Sequence, residues 1–183
     1  EPALHPSFLG AYTPLMLLHT DRVTSQWRDG QTVDMLIESR KIALLIIMDS
    51  LFGVDAQNDI QRIWNPVLKA IQFISPGMWI FWRRIPRPGY KRHLKILDDY
   101  LYRIIADRRA GAPKKDLIQH LIDARLSDEV IRDQMLTMLI AGHDTSTALL
   151  AWTFALLGQH PDVLSPVTQE VNTQTKSPLL DQV

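Results

Sequence analysis

The residues best suited to chemistry stand together in one short run, GHDTST, from Gly142 to Thr147. Its glycine is followed by five side chains that all form hydrogen bonds, yet Leu, Ala and Met dominate the sequence on both sides. Polar groups in an apolar environment cost free energy unless they find partners. The run must therefore have a structural or a functional use, and three interpretations compete.

In the first interpretation the run is structural: its Ser and Thr hydroxyls bond to carbonyls one helical turn earlier, while His143 and Asp144 point to solvent. In the second it holds a metal ion. Neighbouring residues lie about 100° apart on a helix, however, and no second histidine follows His143 at the four-residue spacing that a zinc-binding helix needs. We therefore predict no metal site here.

In the third interpretation the run is one wall of a binding site. Five residues recur at three-and-four spacing and so share one helix face: Met138, Ala141, Gly142, Thr145 and Leu149. Small side chains on that face would let a large, flat group approach the backbone. Asp144, next to Thr145, could transfer protons there if burial raised the pKa of its carboxyl.

Helical periodicity dominates the whole chain, so the predicted fold class is all-α. The first helices are predicted from Pro14 to Arg28 behind a Thr13 cap, from Val33 to Phe52 between a Thr32 cap and Gly53, and from Asn58 to Ser75 with a kink or split at Pro66. The later ones are predicted from Tyr90 to Arg109, from Asp116 to Arg125 and from a Ser127 cap to about Gln159, where HPD (His160 to Asp162) ends the helix and a further one follows to Val171. The nearly all-apolar run 42–52 should be central to the core.

We expect a single helical unit over residues 1–183, in four successive parts. The first helices occupy 2–53, and two further helices with their connecting loop occupy 58–110. The long central helix, about 127–159, and its neighbours occupy 116–171, and a tail occupies 172–183.

Composition and charge exclude several classes of protein. The formal net charge is zero, and although eleven bases stand against three acids between Arg83 and Lys115, such a run is more typical of a solvated helix face than of nucleic-acid binding. The absence of cysteine excludes disulfides, zinc–thiolate sites and thiol nucleophiles. The N-terminus does not resemble a signal peptide. Of the two apolar runs, Ile42 to Phe52 is too short for a membrane span, and Met135 to Gly158 carries a His and an Asp at its middle. We expect a location in the cytoplasm or at the periphery of a membrane.

The run AGHDTS, from Ala141 to Ser146, resembles the oxygen-binding motif in the long central helix of the cytochrome P-450 haem-thiolate monooxygenases. That motif reads Ala/Gly-Gly-any-Asp/Glu-Thr-Thr/Ser, and every specified position matches. Three surrounding segments resemble the family in the right order: HPSF near the N-terminus, LFGVD (Leu51 to Asp55) at a helix end, and LLGQHPDV after the motif. The resemblance covers most of the chain from Pro2 to Val171.

The resemblance implies a haem against the central helix, lined by Ala141, Gly142 and Thr145. Asp144 and Thr145 would be the catalytic pair that delivers protons during dioxygen activation, and the product would be a hydroxylated apolar organic substrate. Electrons would come from a reductase or a ferredoxin. Substrate contacts are expected from four residues: Met138, Phe73, Ile74 and Met78. The aromatic loop from Met78 to Arg84 would lie between the two helices that roof the substrate pocket, either touching a membrane or packing under the roof.

Two departures from the family pattern set limits on this expectation. The chain has no cysteine to hold the haem iron, and Glu38-Ser39-Arg40 has the wrong spacing for the family's Glu-any-any-Arg pair. We therefore expect the helical portion of the P-450 fold without its flanking β and haem-ligand regions, inactive by itself and prone to self-association. The alternative is a non-catalytic helical bundle that binds a small apolar ligand or a partner protein.

Overall fold

The computed structural model describes residues 6–74, 89–114 and 116–174, with the backbone alone at several positions that include Phe73 and Ile74. These residues form seven helices and no strand, which confirms the all-α prediction for this part of the chain. The helices are α1 (Pro6–Thr24), α2 (Met35–Phe52), α3 (Ile60–Ile74), α4 (Tyr90–Ala110), α5 (Leu117–Asp123), α6 (Asp128–Gln159) and α7 (Pro161–Gln174).

The helices are distributed over two compact units, and the division falls within α2 and α6. The first unit comprises residues 1–46 and 145–183, and the second comprises residues 47–144. In the second unit α3 packs against α4, which in turn contacts α5. Tyr100 on α4 donates a hydrogen bond of 3.2 Å to Asp59, just before α3. Burial, and then the negative charge of Asp59, raise the pKa of the Tyr100 hydroxyl.

The predicted start of α1 and the predicted cap of α2 were both wrong. Helix α1 begins at Pro6, so Thr13 and Pro14 lie in its interior rather than at its start. Helix α2 is capped by Asp34 and not by Thr32, because Asp34 Oδ1 accepts hydrogen bonds from the backbone N–H groups of Leu36 (2.9 Å) and Ile37 (3.2 Å). Thr32 and Asp34 can both cap a helix. The sequence does not distinguish them, and the tertiary structure places the start of α2 after Asp34.

Of the predicted kink or split of α3 at Pro66, the split is wrong, because the helix continues through the proline. Ile63, Val67 and Ala70 are buried on either side of it, with exposed fractions of 0%, 1% and 5%. A proline inside a helix costs about 3 kcal/mol, whereas burying each large aliphatic side chain contributes about 1.5 to 3 kcal/mol. Packing of the continuous apolar stripe therefore outweighs the lost backbone hydrogen bond.

The predictions for the core of α2 and for α4 are confirmed. In the second half of α2, Leu44, Met48 and Phe52 are completely buried. Helix α4 begins at Tyr90 as predicted and ends one residue later than predicted, at Ala110. It supplies Leu97, Leu101, Ile104 and Ile105 to the core, while Tyr90 and Leu94, which precede them on the same face, are half-buried.

One buried ion pair connects the ends of α2, α4 and α5. The Arg108 guanidinium pairs with the Asp116 carboxylate and donates a second hydrogen bond of 3.2 Å to the Phe52 carbonyl. Asp116 also caps α5 by accepting from the Gln119 N–H at 3.0 Å. Gly53, whose φ of 62° is left-handed, leaves the space that the pair occupies. The predicted end of α2 at Gly53 is therefore confirmed, and the pair fixes three helix ends together.

The start of α6 is held in place by α4. Ser127 accepts a hydrogen bond of 3.4 Å from the Val130 N–H, as expected of the predicted cap. Arg109 Nη2 pairs with Asp128 at 2.6 Å, and one turn later Arg132 Nε donates to Asp98 Oδ1 at 2.8 Å. These two crosslinks orient the helix that carries the GHDTST run. Within the described residues, no helix is both long enough and apolar enough to cross a membrane.

Candidate functional site

The buried face of α6 follows a four-residue spacing that passes directly through the GHDTST run. Five side chains on this face are at most 1% exposed: Ile131, Met135, Leu139, His143 and Thr147. Residues four apart lie one above the other on a helix, so these side chains form one stripe along the core. The polar run therefore contributes two members, His143 and Thr147, to the packed side of the helix.

The burial of His143 corrects the expectation that it points to solvent. In the structural interpretation of the run both His143 and Asp144 were exposed, but only Asp144 is. A signal for this was present in the sequence, since His143 follows Met135 and Leu139 at four-residue intervals. Its polarity obscured that signal, because an imidazole is not counted as part of an apolar stripe.

The opposite side of α6 carries most of the predicted site. Ala141, Asp144 and Thr145 are exposed, and Met138 is half-buried. The exposed side continues towards the C-terminus with large apolar side chains, Leu149 at 69% and Trp152 at 66%. The structure thus brings the small residue and the acid–alcohol pair of the predicted site onto one accessible side of a single long helix. Their catalytic and cofactor-binding roles remain predictions.

Gly142 lies at the edge between these two sides. It is half-buried, and a Cβ atom at this position would lie 3.2 Å from Ile47 Cδ1 and 3.6 Å from Ile47 Cγ1. The first distance is shorter than normal van der Waals contact between carbon atoms. The missing side chain of Gly142 is therefore used for close packing between α2 and α6. Sequence reasoning did not identify Ile47, because nothing local connects it with the run.

Three of the predicted substrate contacts are not tested by this structure. Phe73 and Ile74 lie in the last turn of α3, and their side chains are outside the described part of the chain. Met78 and the rest of the aromatic loop from Met78 to Arg84 also lie outside the described residues. The predicted contacts with substrate and with a membrane surface therefore stay predictions.

Several cations of the basic stretch pair with carboxylates. Lys95 pairs with Asp99 at 2.9 Å on the surface of α4, and Arg108 and Arg109 pair with Asp116 and Asp128 as described above. This pairing neutralises part of the excess positive charge. It favours the solvated helix face over a surface that binds an anionic polymer.

Glu38, part of the misspaced Glu-Ser-Arg triplet, binds side chains near the start of α2. It accepts a hydrogen bond of 3.1 Å from the Trp27 indole and one of 2.7 Å from Lys41 Nζ. Burial alone would raise the pKa of the Glu38 carboxyl, but the hydrogen bonds from Lys41 and Trp27 outweigh it and hold the pKa below its ordinary value of 4.5. Its role in this chain is thus to attach α2 to the segment after α1.

Comparison with known proteins connects this geometry to a family. The family model for cytochrome P450 matches residues 4–178. Cytochrome P450 137 from Mycobacterium tuberculosis is 31% identical over 92% of this chain and 39% of its own length. Pentalenene oxygenase from Streptomyces avermitilis is 26% identical over 94% of this chain and 41% of its own length. The solved structure of retinoic acid-bound cyanobacterial CYP120A1 matches with a TM-score of 0.79 at 28% identity, covering 99% of this chain and 44% of that chain.

The chain belongs to the cytochrome P450 family. It is similar to the helical portion of the solved family members and spans about two fifths of the length of the curated relatives that it matches. The resemblance noted from the motif and its flanking segments is therefore confirmed, as is the all-α character of the matched portion.

The small side chain on the exposed side of α6 is compatible with the haem that the family implies. Ala141 is small and exposed beside Thr145, so a flat group could approach α6 there. Among the described residues, no group of three His, Asp or Glu side chains could hold a metal ion by itself. Because the sequence contains no cysteine, a thiolate ligand to the iron has to come from another region or another polypeptide.

Proposed function

We propose that this chain forms the distal, proton-delivering wall of a haem-dependent monooxygenase that hydroxylates an apolar organic substrate. The observation that carries the proposal is the placement of the intact AGHDTS motif. Ala141, Asp144 and Thr145 share the exposed side of a 32-residue helix whose other side is packed in the core. An ordinary solvated helix face also carries acids and alcohols, so it is the match of every specified motif position that favours a catalytic use of this side.

The haem, when bound with its cysteine thiolate, supplies dioxygen binding and the electron donation that favours O–O cleavage. The residues of this chain supply the surroundings. Ala141 keeps the wall low enough for close approach, whereas the side chain that Gly142 lacks would point at Ile47 of α2. The Thr145 hydroxyl holds a water molecule or a proton-bearing oxygen beside the site, and the Asp144 carboxylate exchanges protons between that hydroxyl and bulk water. A positioned proton donor of this kind typically contributes about 10²- to 10⁴-fold to a rate.

Apolar residues near the wall suggest the class of substrate. Met138 precedes Ala141 by one turn, and Leu149 and Trp152 extend the same exposed side. Such a surface favours an organic molecule with few polar groups. The names of two similar proteins, pentalenene oxygenase and retinoic acid-bound CYP120A1, point to substrates and ligands of that kind. The reaction also requires dioxygen and an electron donor, either a reductase or a ferredoxin.

The first test replaces the proposed proton-delivering alcohol. In the holoenzyme, meaning this segment together with the region that carries the cysteine, Thr145→Ala should lower the product formed per dioxygen consumed by about tenfold or more, while oxygen consumption continues. The measurement is parallel recording of oxygen uptake and product. The matched control is Thr153→Ala on the same helix, whose hydroxyl donates to the Leu149 carbonyl at 2.8 Å. If the Thr145 variant couples oxygen to product normally, a non-catalytic role of the helix is favoured.

The second test concerns the isolated 183-residue chain, which we expect to lack monooxygenase activity. Haem is titrated into the purified chain, reduced and exposed to carbon monoxide. No thiolate-type absorption band should form, because no cysteine is present. Adding a polypeptide that contains the cysteine region should produce the band. A thiolate-type band from the chain alone would contradict the proposal that this chain contributes only the distal wall.

A further inference from the structure

The contact between Ile47 and Gly142 joins α2 to α6 inside the proposed motif. Ile47 lies five residues before the end of α2 and is 8% exposed. Its Cδ1 atom fills the space where a side chain at Gly142 would begin, 3.2 Å from the ideal Cβ position. Both residues belong to the second compact unit. The contact therefore lies within one packed body.

Gly142 is the point at which the inner packing of α6 reaches the proposed wall. Residues three apart are separated by about 60° around a helix and by less than one turn along it. Thr145 consequently lies close to Gly142 both around the helix and along it, and Asp144 stands between them in the sequence. Because a hydrogen-bonded helical turn is stiff, a shift of α6 away from α2 at Gly142 would displace Thr145 as well.

We infer that Ile47 is a positioning residue for the proposed proton-delivering pair: by packing into the space left at Gly142, it sets the depth and rotation of α6 where Asp144 and Thr145 project. The inference rests on the proposed function for its catalytic consequence. Its structural part stands independently on the distances of 3.2 Å and 3.6 Å between the ideal Cβ position at Gly142 and the two Ile47 atoms. Ile47 has no contact with substrate or cofactor in this role and acts only through α6.

Helix propensity predicts whether Gly142→Ala raises or lowers the melting temperature, and the direction of that change tests the contact. Alanine stabilises the interior of a helix relative to glycine. Without a neighbour in the way, Gly142→Ala should therefore raise the melting temperature by about 2–4 °C in a chain of this size. The Ile47 contact opposes this gain, because α2 or the isoleucine has to move. Ile47→Val removes the Cδ1 atom and leaves the nearest remaining atom at 3.6 Å, an ordinary contact.

The first experiment measures melting temperatures of the 183-residue chain. Gly142→Ala alone should leave the melting temperature unchanged or lower it, whereas the same substitution in the Ile47→Val background should raise it by about 2–4 °C. Two controls match the pair. Ile42→Val replaces an isoleucine of α2 that is likewise 8% exposed, and it should not alter the effect of Gly142→Ala. Gly158→Ala on α6, where nothing lies within 4 Å of an added Cβ, should have the same effect in both backgrounds.

The second experiment measures coupling of oxygen uptake to product in the holoenzyme. Gly142→Ala should lower the product formed per dioxygen severalfold, and adding Ile47→Val should restore most of it; such a rescue supports the positioning role. An equal effect of Gly142→Ala on melting in both isoleucine and valine backgrounds would overturn the contact. If Ile47→Val restores the melting temperature of the Gly142→Ala variant but not its product formed per dioxygen, the positioning role is overturned. Both results are independent of the Thr145→Ala test. If the Thr145→Ala variant still couples oxygen uptake to product normally, it is the proposed function, and not the Ile47 contact, that is contradicted.

Discussion

At the scale of single residues, Gly53 and Gly142 are both required for space, but for different neighbours. At Gly142 the space is filled by an apolar side chain from another helix. At Gly53 it is filled by the buried Arg108–Asp116 pair, and the backbone also has a left-handed φ of 62°. A side chain at Gly53 therefore meets two obstacles at once, backbone strain and a buried charge.

Replacing Gly53 tests that combination. Gly53→Ala should lower the free energy of unfolding by about 3–5 kcal/mol, the cost of disturbing a buried ion pair, because an added Cβ would lie 2.9 Å from Arg108 Nη2 and would collide with the Asp116 carboxylate. The control is Gly30→Ala, since Gly30 has a φ of 74° but nothing within 4 Å of an added Cβ. Its loss should be about 1–2 kcal/mol, from backbone strain alone. Denaturant unfolding measures both, and equal losses would contradict the steric explanation.

At the scale of helices, tertiary packing overrides several local start and stop signals. Pro66 does not interrupt α3, because the helix buries Ile63 and Val67 across it. Asp34 rather than Thr32 caps α2, and four residues later Glu38 attaches the same helix to Trp27. Two carboxylates thus hold the start of α2. Asp34 accepts hydrogen bonds from backbone N–H groups, and Glu38 accepts them from side chains.

The lowered pKa of Glu38 predicts a specific dependence of stability on pH. Because its folded-state pKa lies below the ordinary 4.5, the Glu38 carboxylate contributes fully above that pH, and its contribution is lost as the pH falls through the lowered folded-state pKa. Glu38→Gln should lower the free energy of unfolding by about 1–2 kcal/mol at pH 7, with a smaller difference in acid. Unfolding across an acid series tests this.

The control for this series is Glu129→Gln, which changes an exposed carboxyl on α6. It should change the free energy of unfolding less than Glu38→Gln does at neutral pH. A Glu38→Gln difference that stays constant down to the most acidic point would show that the carboxylate charge is not what stabilises the link to Trp27 and Lys41.

At the scale of the whole chain, large apolar side chains remain exposed along one stretch. On one face of α6, Leu149, Trp152 and Leu156 recur at three-and-four spacing and are 69%, 66% and 50% exposed. Scattered exposed apolar residues are normal, but a contiguous patch usually marks a contact surface. In a family whose relatives are more than twice as long as this chain, such a surface is expected where further structure packs.

We therefore predict that the chain by itself self-associates through this stretch. Gel filtration should show a species larger than the 21.0 kDa monomer, and Trp152→Lys should shift the elution towards the monomer. The control is Tyr102→Lys, which introduces the same charge at an exposed aromatic residue of α4. It should leave the elution unchanged. A clean monomer from the unmodified chain would contradict the prediction.

The sequence by itself determined the all-α class, the bounds of α4 and α6 within a residue or two, and the AGHDTS motif that indicates the family. These features depend on local physics, namely helical periodicity, capping residues and a short contiguous pattern. Tertiary structure alone decided the cap at Asp34, the continuity of α3 through Pro66 and the contact of Ile47 with Gly142. Each of these depends on which surfaces meet in the folded chain, and the free energy of packing distant residues together exceeds the local preferences that a sequence displays.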